Sequence, residues 1–424
     1  AGNLDGQGHT IDGLFINRPS GHNVALISYW GGAVPSEPEI KDLNVTNASV
    51  TGGSQTAILV GENSGGAIGH HMSNVTVSGT VETETWGAGV VGRFHGNLDR
   101  STMTNVHADV SVTENGTGSA VGGLVSIVTE GLTISNSSST GTITGSRSGG
   151  LVGTANDNSN RVENSYSTAT VVASGNFRVA GGLVGGSEDL TIENSYFAGQ
   201  VLGINGASAG GLIGEADRYT TIMNSFVTGR VATDGYAGAL IGTLRNNNVS
   251  MTNAAWDIGT TGRSDAIGYT AFYTPTVTNT GSRTTAQMQG SLDFGLGFSL
   301  NNTIWATGND LYPYFGWQYA STPVAVSGTA YADSGSTPLS GADVSGISGG
   351  NLFGSAVTGA NGYYYILTDA GSLDAAGVLT YLDGESTQSA TYSDRMTASG
   401  VSGADIWGNT FRVETDAAAL TDVS

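Results

Sequence analysis

The chain has 424 residues, 67 of them glycine, with no cysteine, 12% charged residues and a formal net charge of −21. A cysteine-free chain excludes disulfide scaffolds and Cys-ligated zinc or iron–sulfur centres. An acidic surface with a single lysine (Lys41) and no basic stripe argues against nucleic-acid and anionic-membrane partners, and no apolar run approaches the roughly eighteen residues that membrane insertion requires.

Residues 1–56 read as short, irregular strands. Ile11, Leu14 and Ile16 alternate, Val24 to Ile27 follows, and Ile40-Lys41-Asp42-Leu43-Asn44-Val45 comes next. The insert from Gly31 to Pro38 is a loop by its glycine and proline density. No signal peptide is visible and Ala1 already lies in a patterned segment, so the sequence reads as a mature or excised piece of something longer.

From 57 to 260 one unit recurs. Gly149-Gly150-Leu151-Val152-Gly153 precedes Asn164-Ser165-Tyr166, Gly181-Gly182-Leu183-Val184-Gly185 precedes Asn194-Ser195-Tyr196, and Gly210-Gly211-Leu212-Ile213-Gly214 precedes Asn224-Ser225-Phe226. Weaker copies begin at Ala57, Ala88, Gly122 and Gly238, and successive starts are 31, 34, 27, 32, 29 and 28 residues apart. Each period holds about three short β-type runs bounded by Gly, Asn, Asp and Ser, and no convincing 3.6-residue apolar stripe occurs. Propeller blades need about 40–50 residues each. The spacing therefore predicts an all-β chain built on a parallel β-helix solenoid, right-handed as parallel crossovers nearly always are. About nine rungs are expected, followed by a small β-sandwich.

The repeated residues then acquire physical tasks. Val152, Val184 and Ile213 are expected to stack inward as the core. The paired glycines allow either a corner with positive φ or a close approach between rungs. Asn74, Asn105, Asn136, Asn164, Asn194, Asn224 and Asn253 form a column whose amides can bond along the axis. Tyr166, Tyr196 and Phe226 are expected to form an inward aromatic stack beside it. Insertions such as Asn156 to Asn160 should bulge from one face.

Residues 261–321 change to sparse β runs rich in threonine and aromatics, as a segment closing the solenoid would be. Residues 322–400 read as the small β-sandwich, with strands at Val324 to Tyr331, Ala342-Asp343-Val344, Ser355 to Thr358 and Tyr363 to Thr368. The tail, 401–424, carries further β runs at Ile406 to Asn409, Thr410 to Val413 and Ala417 to Leu420. It reads as a resumed solenoid or as a strand-exchange segment.

Gly-Gly-Leu-Val-Gly followed by Asn-Ser-Tyr resembles the GLUG repeat of large bacterial surface proteins, including filamentous-haemagglutinin-like adhesins and exoproteins. Leu4-Asp5-Gly6-Gln7-Gly8-His9-Thr10-Ile11-Asp12-Gly13 is similar to the turn that precedes such arrays. Thr284-Thr285-Ala286-Gln287-Met288, with Trp305 and Tyr312-Pro313-Tyr314-Phe315, is similar to the segment that closes them. That resemblance covers about 1–319. Val326-Ser327-Gly328-Thr329-Ala330-Tyr331 and Thr358-Gly359-Ala360-Asn361-Gly362-Tyr363-Tyr364 resemble the carboxypeptidase-regulatory-like β-sandwich over 322–395. The resemblances imply an architecture and a surface role, and they carry no catalytic signature.

Chemistry is sparse. His9, His22, His70, His71, His95 and His107 fit no metal spacing, and His70-His71 reads as a solvated turn. Glu82 and Glu84 alternate on one strand as a solvated face. Asp157, Glu163, Asp189, Glu193, Glu215 and Asp217 recur near one corner without a persistent basic partner, which weakens a lyase or a paired-carboxylate hydrolase. Thr140, Thr168 and Thr228 share a column that Ala198 interrupts, too irregular for a flat ice- or mineral-binding grid. No calcium-loop motif accompanies the acidic residues. No catalytic, cofactor or metal residue is assigned, although an acidic loop could bind calcium.

The expected function is that of a non-catalytic extracellular or cell-surface protein, adhesive or structural. Its expected partners are a glycan or a host or abiotic surface, met through loops such as 31–39 and 154–161. Head-to-tail self-association into filaments through the tail is also expected. The competing reading is a polysaccharide-acting β-helix enzyme.

Overall fold

A computed structural model describes residues 2–31, 37–63, 69–96, 101–116, 118–157, 159–175 and 178–415. The chain divides into two compact units, 1–256 with 263–282, and 257–262 with 283–424. Most of the expected Gly31–Pro38 loop (32–36), the tip of the 154–161 loop (158) and the run from Ala417 to Leu420 lie outside the described residues.

The first unit is a parallel β-solenoid. Its clearest wall is a nine-stranded sheet running from Ile27–Trp30 to Ile267–Tyr269. Along it Ile27, Val60, Val91, Val125, Val152, Val184, Ile213, Ile241 and Ile267 pair in strict register. From Val60 to Ile241 every member of that column is buried. β-branched residues suit such a stack because each packs on its copy in the adjacent rung. Eight steps of about 4.8 Å give a stack of about 38 Å. The other strands of the unit join a second, 23-stranded sheet whose described pairings are likewise parallel.

Each rung is more finely divided than the sequence suggests. Between 179 and 204 the chain forms Val179–Gly181, Val184–Ser187, Leu190–Glu193, Tyr196–Phe197 and Gln200–Ile204. Strands of two or three residues are too short to leave a periodic signal, so about three runs were legible where five exist.

The Gly-Gly corner works through close approach. None of Gly149, Gly150, Gly181, Gly182, Gly210 and Gly211 has positive φ. A Cβ on Gly150, Gly182 or Gly211 would lie 2.1 Å from the carbonyl oxygen of Gly182, Gly211 or Ala239 in the next rung. The Leu212 carbonyl there accepts from two consecutive N–H groups, Leu183 at 3.0 Å and Val184 at 2.9 Å.

Positive φ belongs instead to the asparagine column, whose seven members have φ between 46° and 57°. Asn tolerates the left-handed region better than other side chains, so the column marks a corner. Its amides bond along the axis at both ends. Asn105 Nδ2 donates to Asn74 Oδ1 at 2.9 Å, and Asn74 Nδ2 donates to Asp42 Oδ1 at 2.8 Å. Asn279 Nδ2 donates to Asn253 at 3.0 Å, and Asn253 donates to Asn224 at 2.9 Å. In the middle, Asn164 Oδ1 is buried without a partner.

The following serine closes the corner. Ser137, Ser165, Ser195 and Ser225 are buried. The N–H groups of Ser137, Ser165 and Ser195 donate to the hydroxyl of the next serine at 3.1, 3.2 and 3.1 Å. Each of the four hydroxyls donates two residues back within its own rung, as Ser195 Oγ does to Glu193 O at 2.8 Å. Donor and acceptor are both satisfied, which burial demands.

The aromatic column stacks as expected, with ring centroids 5.0 Å apart for Tyr166–Tyr196 and 5.1 Å for Tyr196–Phe226. It lies outside the main core cluster, although Tyr196 and Phe226 are buried. The inward neighbours are Ser167, Phe197 and Val227, and the core cluster contains Phe197 and Val227 but none of the three stacked rings.

The solenoid also continues beyond 260. Ile267–Tyr269 pairs with Ile241–Leu244, and Thr276–Thr278 pairs with Val249–Asp257. The segment expected to be irregular thus supplies a last rung.

The second unit opens on a buried carboxylate. Asp257 Oδ1 accepts from Gly259 N–H at 2.8 Å and Thr260 N–H at 3.2 Å, capping the short helix Ile258–Thr261. Its Oδ2 accepts from Thr285 Oγ1 at 2.7 Å and from the Tyr312 hydroxyl at 2.6 Å. Burial first, and the Asp257 charge after it, raise the Tyr312 phenol well above its ordinary range, so it remains a neutral donor. Two sheets follow. One orders Tyr363–Thr368, Val324–Tyr331 and Gly400–Val401, with Ile406–Trp407 also on the central strand. The other orders Asn351–Val357, Asp343–Ser348, Val378–Asp383, Ala390–Ser393 and Phe411–Glu414. Residues 400–414 therefore join the small sheets and are not a resumed solenoid.

Candidate ligand groove

Two outward columns flank the Gly-Gly corner of the solenoid. Arg147, Val179 and Ser208 pair on one side, and Tyr236 lies one rung further, its carbonyl accepting from Ala209. On the other side Thr154, Gly186, Glu215, Thr243 and Tyr269 pair in register. The bend between them leaves a groove of about 330 Å³ lined by Arg178, Ser208, Glu215, Tyr236, Thr243, Arg245 and Tyr269, among others.

Glu215 lies at the floor between two arginines, Arg245 Nε at 2.9 Å from one oxygen and Arg147 Nη2 at 3.3 Å from the other. Arg147 is two rungs from Glu215. It crosses the intervening rung at Gly186, where a Cβ would sit 3.0 Å from Arg147 Nη1. Tyr236 and Tyr269 stack with centroids 4.3 Å apart, yet they remain 49% and 38% exposed. The pair forms an aromatic wall open to solvent. Arg178 makes no ion pair among the described residues.

Of the six corner carboxylates, Glu163, Glu193 and Glu215 are held by arginine. Arg161 Nε lies 2.9 Å from Glu163 and its other nitrogen bonds Glu193 of the next rung, while Arg218 holds Glu188 at 2.5 Å. The expectation of no recurring basic partner is therefore corrected for Glu163, Glu193 and Glu215, while Asp157, Asp189 and Asp217 make no ion pair among the described residues. The arginines are offset in sequence but bridge rungs in space. Glu82 and Glu84 are exposed, as expected of a solvated face.

His70 is also corrected. It is 1% exposed, packed edge-on against Trp30 at 5.0 Å, and neither ring nitrogen has a partner. His71 alone is half-buried, bonded to Thr102 at 2.9 Å and Glu37 at 3.0 Å. Burial, and then the neighbouring His71, lower the His70 pKa to about 4. Its folded value lies below the unfolded value, so the unfolded chain binds the extra proton. Stability is full above about pH 6.5 and falls as pH drops to about 4, by about 3 kcal/mol in total. His70→Leu should remove that share of the acid sensitivity between pH 6.5 and 4. Urea melts of both proteins at several pH values test this, and parallel curves would refute it. Among the described residues no three His, Asp or Glu side chains converge as metal ligands.

Three comparisons bear on this geometry. The GLUG motif profile matches residues 205–232, the rung that contributes Ser208 and Glu215. Halomucin from Haloquadratum walsbyi is 41% identical over 91 residues, which is 22% of this chain and 1% of halomucin. The chain thus corresponds to a very small part of that relative's length. A crystal structure from Bacteroides ovatus, described as that of an immunoglobulin A1 protease, aligns over 74% of this chain and 77% of its own, with 16% identity and a TM-score of 0.34. A superposition that loose carries no argument about this chain.

Proposed function

We propose that this chain is a non-catalytic part of an extracellular surface protein, a solenoid spacer that presents a binding groove. The observation that carries the reading is that the repeating polar residues serve the scaffold. The asparagines turn corners, the serines satisfy buried N–H groups, and arginines of adjacent rungs hold Glu163, Glu193 and Glu215. The GLUG match and the likeness to a segment of halomucin support a surface setting. Adhesion to a glycan or to a host or abiotic surface belongs to the same reading.

Self-association is part of the proposal. Phe411–Glu414 ends its five-stranded sheet, and Phe411 is exposed, so a strand of a second copy can add there and propagate. Intact cells of the source, treated with protease and probed with antibody to this chain, should lose the signal. Labelled filaments should be visible by electron microscopy. A signal protected until lysis refutes the surface role, and dispersed single particles refute assembly.

A further inference from the structure

The five-stranded sheet of the second unit carries an open cleft of about 740 Å³ over its last three strands. Tyr381 pairs with Ala390 and Ala390 with Phe411, so these three side chains stand in one row on one face. Their neighbours along the strands, Thr380, Leu382 and Thr391, are buried on the opposite face. Alanine in the middle leaves a slot with an aromatic ring on either side. The two walls rise two strand spacings apart, about 9.6 Å. Phe411 is 60% exposed, and neither ring stacks on another among the described residues.

The end of the slot is tied down by backbone bonds. Asn409 takes a φ of 57°, and its N–H donates to Ser389 Oγ at 2.8 Å. Leu382 N–H donates to Ser389 O at 3.0 Å, and Ala390 N–H donates to Thr410 O at 3.1 Å. The side-chain amides of Gln388 and Asn409 are exposed there and make no hydrogen bond among the described residues. Glu385 is the one charged residue of the described lining, and Asp383, two residues past Tyr381 on the same face, adds a second carboxylate. Arg412 does not offset them, because it lies over the Trp407 ring at 3.8 Å and bonds Glu414 at 2.8 Å.

Resting on the surface reading above, we propose that this slot binds a neutral saccharide, with one sugar ring held between Tyr381 and Phe411 above Ala390. A ring touching both walls at carbon–carbon distances of about 3.5–4.0 Å takes up about 7–8 Å, which the spacing of the walls admits. The aromatic faces receive the apolar C–H faces of the sugar, and the Tyr381 hydroxyl supplies a polar tip at the mouth. Gln388 and Asn409 each offer two donors and an acceptor, which suits hydroxyls that must both give and accept. A few placed polar groups around an apolar slot are what orient a small ligand. An acidic sugar is disfavoured, because its carboxylate would meet Glu385 and Asp383 with no basic side chain in the described lining to receive it.

Calorimetric titration of the whole chain with cello-, xylo- and N-acetylglucosamine oligomers, and with oligogalacturonate, tests the proposal. At least one neutral oligomer should bind, with little change as salt is raised. Tyr381→Ala and Phe411→Ala should each weaken it by about tenfold or more without shifting the melting temperature, since neither ring belongs to a core cluster. Ala390→Leu should fill the slot and abolish binding in a chain that still melts cooperatively. Tyr381 lies two strands in from the sheet edge, so its variant separates ligand binding from strand addition at Phe411–Glu414. No binding of any neutral oligomer, or binding unchanged in the Tyr381 and Phe411 variants, overturns the assignment. Equal binding of oligogalacturonate overturns the preference for a neutral sugar. Failure here with the chain exposed on cells removes only the ligand, whereas a chain confined within the cell removes the surface reading whatever the slot binds.

Discussion

Gly182→Val is expected to unfold the solenoid around its rung, or to lower stability by more than about 3 kcal/mol. The added Cβ would stand 2.1 Å from the Gly211 carbonyl oxygen and 2.4 Å from Phe197 Cγ. One neighbour is backbone held by rung-to-rung bonds and the other is a buried core ring, so neither can yield cheaply. The clash would also separate rungs where the N–H groups of Leu183 and Val184 share the Leu212 carbonyl. Gly186→Ala, in the same rung, is the control. Its Cβ is crowded by the far end of Arg147 at 3.0 Å, which can swing aside, and meets Thr154 at an ordinary 3.8 Å, so the effect should stay within about 1 kcal/mol. Urea denaturation followed by circular dichroism measures both. Equal stability losses would contradict the account of the corner.

Asp257→Ala is expected to cost about 3–5 kcal/mol in the second unit. The carboxylate is fully buried and accepts four hydrogen bonds, two from the N–H groups of a helix start and two from hydroxyls. Alanine leaves the buried Tyr312 hydroxyl without an acceptor, and that is the larger part of the penalty. Asp257→Asn should lose less than half as much. Its carbonyl can keep the helix cap, and the hydroxyls of Thr285 and Tyr312 can rotate to accept from the amide. The unfolding transition of residues 257–415 should be followed by the fluorescence of Trp305 and Trp317. An asparagine variant as unstable as the alanine one would show that charge, and not bond count, decides the site.

Much of the solenoid was legible because its signal is repetition. Val152, Val184 and Ile213 recur with their glycines at one period, and the residues between them need no further explanation to fix a rung. The asparagine column was visible too, although its main task, the left-handed corner, is a backbone property that a list of residues does not display. Ser165, Ser195 and Ser225 stood in the motif from the start, between Asn and the aromatic residue. Their value appears only when a hydroxyl is found facing the N–H of the rung beside it. The groove was the hardest to read. Arg147 meets Glu215 across 68 residues, and Tyr236 meets Tyr269 across a rung boundary, with no local pattern linking either pair. His70 misled for a related reason. Polarity and a neighbouring His71 suggested a turn in water, whereas Trp30 and Phe94, each from a different rung, enclose it.

The central claim is that a β-helix with repeating carboxylates here serves as a scaffold and not as a catalyst. Purified chain incubated with pectate, alginate and hyaluronate, with product ends measured over days, tests it most directly. The account predicts no turnover above buffer, and for Glu163→Gln and Glu193→Gln a stability change within about 1 kcal/mol from a weakened Arg161 bridge. Cleavage of any of these polymers that disappears in either variant would contradict it.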